Sequence, residues 1–207
     1  MNLSDQLGEG LSAMGLAPDP AQVAALLAYL DLIAKWNRTY NLTAIHEPER
    51  MLTHHILDSL SIAPSVTGGP LLDVGSGAGL PGIPLAILRP GLKVTLLDAS
   101  QKKCGFMQQA AIELGLADIT VVHGRVEVFH QEGGFRQIVS RAFSDLSEFV
   151  RLTRHLLAEG GEWLAMKGVY PNEEIARLEG ARVIREQPLA VPGLAAARHL
   201  IVMAHLP

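Results

Sequence analysis

A run of glycines between acidic residues is the part of this 207-residue sequence best equipped for chemistry. It reads Leu71-Leu-Asp-Val-Gly-Ser-Gly-Ala-Gly-Leu-Pro-Gly82. A short apolar strand runs into Gly75, Gly77 and Gly79, and a helix start follows. Bare backbone there can turn tightly and approach a ligand in front of a helix N-terminus. Two registers fit. Gly75-x-Gly77-x-Gly79, with Asp73 two residues ahead, is the pattern of S-adenosylmethionine sites. Gly77-x-Gly79-x-x-Gly82 satisfies the dinucleotide fingerprint of NAD enzymes. Glycines serving only a tight turn are the plain alternative.

Other residues weigh toward the sulfonium cofactor. Asp73, at the end of its strand, suits a ligand carrying amino and sulfonium charge better than a diphosphate. The chain has no second substrate domain of the size that most dehydrogenases carry. Asp98 closes the next strand 19 residues beyond Gly79, where a carboxylate reaches ribose hydroxyls in either fold. The third strand ends at His123-Gly-Arg-Val-Glu127. In this architecture Glu127 is placed to accept from an adenine amino group, with the Val126 backbone at the ring edge.

The fourth strand ends in Ile138-Val-Ser-Arg-Ala-Phe-Ser-Asp145, the position that faces a transferred methyl group. It lacks the Asn/Asp-Pro-Pro-Tyr/Phe signature used on exocyclic amines, and it lacks a Pro-Cys nucleophile. It offers Arg141, a cation suited to phosphate or to the carboxylate of the cofactor. Guanine N7 is compatible with this equipment, because its lone pair attacks without losing a proton. Alignment is then the main catalytic task, and positioning can supply roughly 7–11 kcal/mol. Cys104 is expected to be an inert packing residue inside a helix. The eight histidines form no metal constellation, since adjacent His54 and His55 face different directions on a helix.

These residues need elements to position them. The first 65 residues read as helix, with Ser4 capping a segment to about Leu16. Asp19-Pro20 opens a second helix with Val23, Leu26, Leu27, Leu30, Ile33 and Ala34 on one face, up to Asn37. Pro48 opens a third, striped by Met51, Leu52, Ile56, Leu57 and Leu60 and ending near Pro64. Thr67-Gly-Gly-Pro70 marks a boundary. The expectation is a helical cap over 1–65 on a core over 66–207.

Beyond residue 70, strands at 71–74, 93–97, 119–123, 137–140 and 162–166 alternate with helices at 83–88, 101–114, 146–157 and 173–178. That alternation predicts a parallel sheet covered on both faces. Strands at 182–186 and 199–206 have only a Pro/Gly/Ala-rich loop between them and should pair antiparallel. The expected fold class is α/β, a doubly wound, Rossmann-like, mostly parallel sheet with one reversed strand at its C-terminal edge, which resembles the class I methyltransferase sheet.

Composition bounds the rest. Hydrophobic residues at 48% exclude a disordered chain. One cysteine excludes an internal disulfide framework and suits a reducing, cytoplasmic setting. No apolar run approaches the ~20 residues that span a bilayer, and the start lacks a signal-peptide pattern, so no membrane role is expected. A net charge of −4 means that any polyanion must meet a local basic face. Candidates are Lys35, Arg38, Arg50 and His54 in the cap, with Lys102, Lys103, Arg141, Arg151, Arg154 and Lys167 around the core. A non-catalytic RNA-binding protein is a further alternative, opposed by the intact Asp73, Asp98 and Glu127. Nothing in the sequence demands more than a monomer.

Several segments together resemble a known family. They are Trp36-Asn37, Asn41-Leu-Thr43, His55-Ile-Leu-Asp-Ser-Leu60, Leu72 to Leu85 through the glycine loop, Leu97-Asp98, Arg125-Val-Glu127, Ser140-Arg-Ala142 and Met166-Lys-Gly168. The combination resembles the bacterial ribosomal small-subunit methyltransferase G family, also called glucose-inhibited division protein B, over nearly the whole chain. The resemblance implies methyl transfer from S-adenosylmethionine to N7 of one guanosine of 16S rRNA, in the decoding region of the small ribosomal subunit or its precursor. It implies cofactor contacts at Gly75, Gly77, Gly79, Leu80, Val126, Glu127 and Arg141, with Asp98 as the ribose acid. Arg141 and Lys167 are the expected catalytic residues; Lys167 matches a family lysine near the site and is assigned to rRNA, with Arg50 and His54 as candidate rRNA contacts from the basic residues of the cap. The family often carries Arg-His before the Ile-Leu-Asp-Ser-Leu run, where His54-His55 stand here.

Overall fold

The computed structural model describes residues 2–206. Helix α1 (Leu3–Ala13) is capped by the Asn2 side chain, which accepts from the Asp5 N–H at 2.8 Å. The expected cap Ser4 lies inside the first turn instead, because Asn2 provides the oxygen three residues ahead of an unpaired N–H. Helix α2 (Pro20–Tyr40) opens on a reciprocal capping box between Asp19 and Gln22. It runs three residues past the expected end and stops at Asn41, whose φ of 50° turns the chain into the left-handed region.

Helix α3 (Pro48–Met51) passes into a π-helical run, Leu52–Leu57, and then into α4 (Asp58–Leu60). The sequence stripe predicts a plain helix here. The wider π turn shifts the following register, so His55, Asp58 and Ser59 share the buried side with Ile56, Leu57 and Leu60. A 3-10 turn over Ala63–Ser65 leads to the core.

The core is a seven-stranded sheet in the order β3-β2-β1-β4-β5-β7-β6. Its strands are β1 (Leu71–Val74), β2 (Val94–Asp98), β3 (Ile119–His123), β4 (Phe135–Ser140), β5 (Leu157–Lys167), β6 (Ala181–Pro188) and β7 (His199–His205). Strands β1 to β5 pair in parallel, while β7 runs antiparallel to both β5 and β6. The reversed strand is therefore inserted one place in from the edge, and β6 forms the edge itself. The order reverses between β1 and β4, which opens a ligand crevice at the carboxyl ends of the strands.

Period-two alternation splits the strand residues between two cores. Leu71, Leu96, Val139, Leu164 and Val202 join the cap, α5 (Gly82–Leu88) and α6 (Gln101–Glu113). Leu72, Leu97, Ile138, Trp163 and Ile201 pack on the opposite face with α7 (Leu146–Thr153). A short α8 (Asn172–Ala176) precedes β6. The cap thus shares one continuous hydrophobic core with the sheet.

Polar ties add direction to that packing. Gln22 donates to the Leu88 carbonyl at 2.9 Å, and buried Gln137 donates to the Ser65 carbonyl at 3.0 Å. Among the described residues, no helix is long and apolar enough to cross a membrane.

Candidate active site

The glycine loop is shaped by its own backbone and by β2. Gly75 has φ +69°, and a Cβ there would stand 2.8 Å from that of Ala142, just past β4. A side chain at this position would be both strained and blocked. The Gly75 N–H donates to the Leu97 carbonyl at 2.8 Å, which carries the β1–β2 ladder into the loop. Asp98 then fastens the next turn: Oδ2 accepts the Gly77 N–H at 2.8 Å and Oδ1 the Ser100 N–H at 2.8 Å.

A cavity of about 360 Å³ lies at the carboxyl ends of β1 to β3. Gly75, Asp98, Arg125, Val126, Glu127 and Phe143 line it. Val126–Val128 forms a 3-10 turn that buries Val126 and leaves Glu127 exposed at the rim. Cys104 is buried below, its thiol 3.4 Å from the Asp98 carbonyl, and burial pushes its pKa up. It is a packing residue.

Asp73 is fully buried near the end of β1, on the cap-facing side of the sheet below the glycine loop. Its Oδ2 accepts the Gly82 N–H at 2.8 Å, and its Oδ1 has no hydrogen-bond partner. Burial pushes its pKa up to about 7; the Gly82 bond and Arg141 oppose that rise, and Asp98 adds to it.

The cap meets the loop along a polar seam. Tyr29 of α2 donates its hydroxyl to the Ala78 carbonyl inside the loop. Arg141 approaches Asp58 Oδ2 at 3.2 Å and donates to Ser59 Oγ at 3.3 Å, both on α4. Arg198 reaches Asp58 from the other side, with Nε to Oδ1 at 2.9 Å. One turn earlier, His55 Nε2 lies 2.9 Å from Thr43 Oγ1, and its buried Nδ1 has no partner. Burial first, then the Arg141 charge, depresses the His55 pKa to about 4. At neutral pH its imidazole is uncharged.

Comparison with known proteins identifies the lineage. The profile described as rRNA small subunit methyltransferase G matches residues 22–201. The chain belongs to this family. It is 58% identical to the Ribosomal RNA small subunit methyltransferase G of Laribacter hongkongensis, over 97% of this chain and 98% of that protein. Its identity to the protein of the same name from Chromobacterium violaceum is 54%, over 96% of each chain. Among solved structures it is similar to a SAM-dependent methyltransferase from Aquifex aeolicus, at a TM-score of 0.61 and 16% identity, covering 76% and 93% of the two chains. That likeness carries the fold.

As a methyltransferase of this family, the enzyme is expected to hold S-adenosylmethionine, and its residues fit that group. The loop offers bare backbone at Gly75, Asp98 keeps lone pairs for ribose hydroxyls, and the open Oδ1 of Asp73 awaits an ammonium-like donor. Of the residues expected to contact the cofactor, Gly75, Asp98, Val126 and Glu127 line one cavity. Gly77 supports it through Asp98. Gly79 backs onto Ile83 and Tyr29, and Leu80 packs into the core at 8% exposure.

Arg141 stands at the seam, where it faces Asp58. Lys167, at the end of β5, is paired with Glu174 at 2.7 Å and donates to the Phe143 carbonyl at 3.1 Å. Arg50 is exposed in a loose pair with Glu47 at 3.4 Å, and His54 Nδ1 lies 3.0 Å from the Arg50 carbonyl. These four do not converge on the cavity. Sequence reasoning passes over Tyr29, Asp58 and Arg198 as site residues. Asp58 carries a readable signal, a carboxylate amid Ile56, Leu57 and Leu60 on an apolar stripe. Arg198, in an Ala-rich loop, carries none.

Proposed function

We propose that this enzyme methylates N7 of one guanosine in 16S rRNA, acting in the cytoplasm as a monomer on the small ribosomal subunit or its precursor. The observation that carries this reading is that Ser140, Arg141 and Ala142, at the end of β4, offer no general base. The Ser140 hydroxyl is committed, donating to the Val74 carbonyl at 2.8 Å and accepting the Ala142 N–H at 3.0 Å. Arg141 is a cation, and Ala142 is inert. A proton leaving an acceptor finds no base among these three residues. N7 of guanine needs no such help.

S-adenosylmethionine, when bound, supplies an electrophilic methyl carbon on a sulfonium. The chain's own residues orient and desolvate. Asp98 accepts ribose hydroxyls, Val126 and Glu127 meet the adenine edge, and Asp73 meets the amino group. Arg141 lies beside the loop on the acceptor side and keeps free donors for an anion. Lys167 is already neutralised by Glu174, so its contribution at the end of β5 is to hold the Phe143 segment that walls the cavity. Arg50 and His54 extend the outer surface of the cap toward rRNA. On this view residues 1–65 offer the RNA an outer surface, and residues 66–207 carry out the transfer and add basic contacts of their own.

Nucleoside analysis of small subunits lacking the modification, incubated with enzyme and donor, tests the reading. It predicts 7-methylguanosine. Methyl groups on an exocyclic amine or on a pyrimidine carbon would overturn it.

A further inference from the structure

Asp58 is 2% exposed and lies between two guanidinium groups. Buried ion triads are poor stabilisers, because desolvating three charges offsets most of their attraction. Fastening the cap is therefore a weak reason for this arrangement, since the shared apolar core and the Gln22, Arg89 and Gln137 bonds already do so.

The location is more telling. Arg141 immediately follows β4. Arg198 immediately precedes β7, whose first residue, His199, pairs with Lys167 at the end of β5. The Arg198 Nη1 lies 3.8 Å from where a Cβ on Gly168 would stand. Both guanidiniums therefore sit on the carboxyl-end rim of β4 and β5, across the glycine loop from the cofactor cavity. That rim is where ligands meet an open α/β sheet.

The two side chains are 27% and 23% exposed, so they touch solvent while their carboxylate partner does not. Among the described residues, no hydrogen bond occupies Arg141 Nε or Nη2, or Arg198 Nη2. Two cations around one anion leave a net charge of +1 and a set of planar, fixed donors. Such a fork matches a phosphate.

We propose that Asp58 is a positioning residue that sets Arg141 and Arg198 as a two-arginine clamp for a phosphate flanking the target nucleotide. This inference rests on the rRNA reading above. Asp58 never touches RNA; it fixes the angle between the two forks. The π turn before it shifts the helix register so that this carboxylate points into the seam.

Steady-state methylation of undermodified small subunits by the full chain, with Asp58→Asn, Asp58→Glu and Arg198→Lys, tests the clamp. The amide introduced by Asp58→Asn would accept from one arginine and present its N–H groups to the other, while raising the local charge. Expected for Asp58→Asn is a fall of about 100-fold in kcat, the scale of a misplaced reactant. KM for the particle should not rise, and donor affinity by calorimetry should stay within about twofold. Asp58→Glu should recover about tenfold of the loss, because it restores the carboxylate. Arg198→Lys, which keeps the charge and loses the fork, should lower kcat about tenfold.

A wild-type kcat in Asp58→Asn overturns the clamp. So does a loss of kcat matched by equal losses of donor affinity and Tm, the mark of a mere fastener. If Asp58→Asn does not fold, Arg198→Lys decides alone, and full activity in it overturns the clamp. Failure of the wild-type enzyme to methylate the particle would sink the rRNA reading, a result separable from any difference among the variants.

Discussion

Asp98 holds Gly77. Its Oδ2 accepts the Gly77 N–H at 2.8 Å, across the gap between the end of β2 and the loop that follows β1. The same carboxylate accepts from Ser100 at the start of α6. One side chain thereby sets the spacing of both loops that frame the cavity before any ligand arrives.

Asp98→Ala removes two charge-assisted bonds, each of about 1.5–3 kcal/mol. Donor Kd should rise by about 100-fold, read by titration calorimetry. Stability should fall by about 3–6 kcal/mol in urea titrations. An unchanged Kd would show that the acid serves the loop alone.

Gly75→Ala tests the cradle. A non-glycine residue at φ +69° costs about 1–2 kcal/mol, and contact with Ala142 adds to it. The expected destabilisation is about 2–3 kcal/mol. Adding Ala142→Gly should relieve the steric share and leave the backbone share. A double variant no more stable than Gly75→Ala would contradict that division.

Donor binding should release a proton through Asp73. With a pKa near 7, its carboxyl is mostly protonated at pH 6, and a cationic ligand favours its ionised form. Calorimetry at pH 6 in buffers of different ionisation enthalpy should show about 0.9 proton released per donor. Asp73→Asn should abolish the buffer dependence and weaken binding about tenfold. Buffer-independent heats in the wild type would contradict this.

His55 and Asp73 pull stability in opposite directions with pH. The folded pKa of His55 lies below its ordinary value, so stability is lost as pH falls from 6.5 to about 4. That of Asp73 lies above its ordinary value, so stability is gained as pH falls from about 7 to 3.8. In the wild type the two largely offset. Asp73→Asn should lose up to about 3 kcal/mol relative to wild type on acidification from pH 7 to 4, and His55→Gln should gain a similar amount. Parallel curves for all three proteins in urea melts would refute the assignment.

Sheet, cofactor loop and acids are legible in the sequence because each depends on a local rule. Glycines mark backbone that must turn, and Asp98 marks a strand end at a fixed distance from them. Four of the expected cofactor positions, Gly75, Asp98, Val126 and Glu127, line the same cavity for that reason. What escapes depends on long-range contact. The Asp58–Arg198 bond joins residues 140 positions apart, and no periodicity announces such a pairing. The π turn at Leu52–Leu57 escapes because its apolar stripe also suits an ordinary helix. In sequence the Asn41-Leu-Thr43 segment is only a family marker. In the structure it ties the cap together: Asn37 Oδ1 accepts the Thr43 N–H at 2.9 Å, and Thr43 meets His55.

The most direct test of the central claim is to map the methylated position itself. Small subunits lacking the modification would be incubated with labelled S-adenosylmethionine and the purified protein, and the 16S rRNA treated with borohydride and aniline, which cleave at 7-methylguanosine. The account predicts label in 16S rRNA and one new cleavage, at a guanosine, dependent on both protein and donor. Label without cleavage, or cleavage at many guanosines, would contradict it.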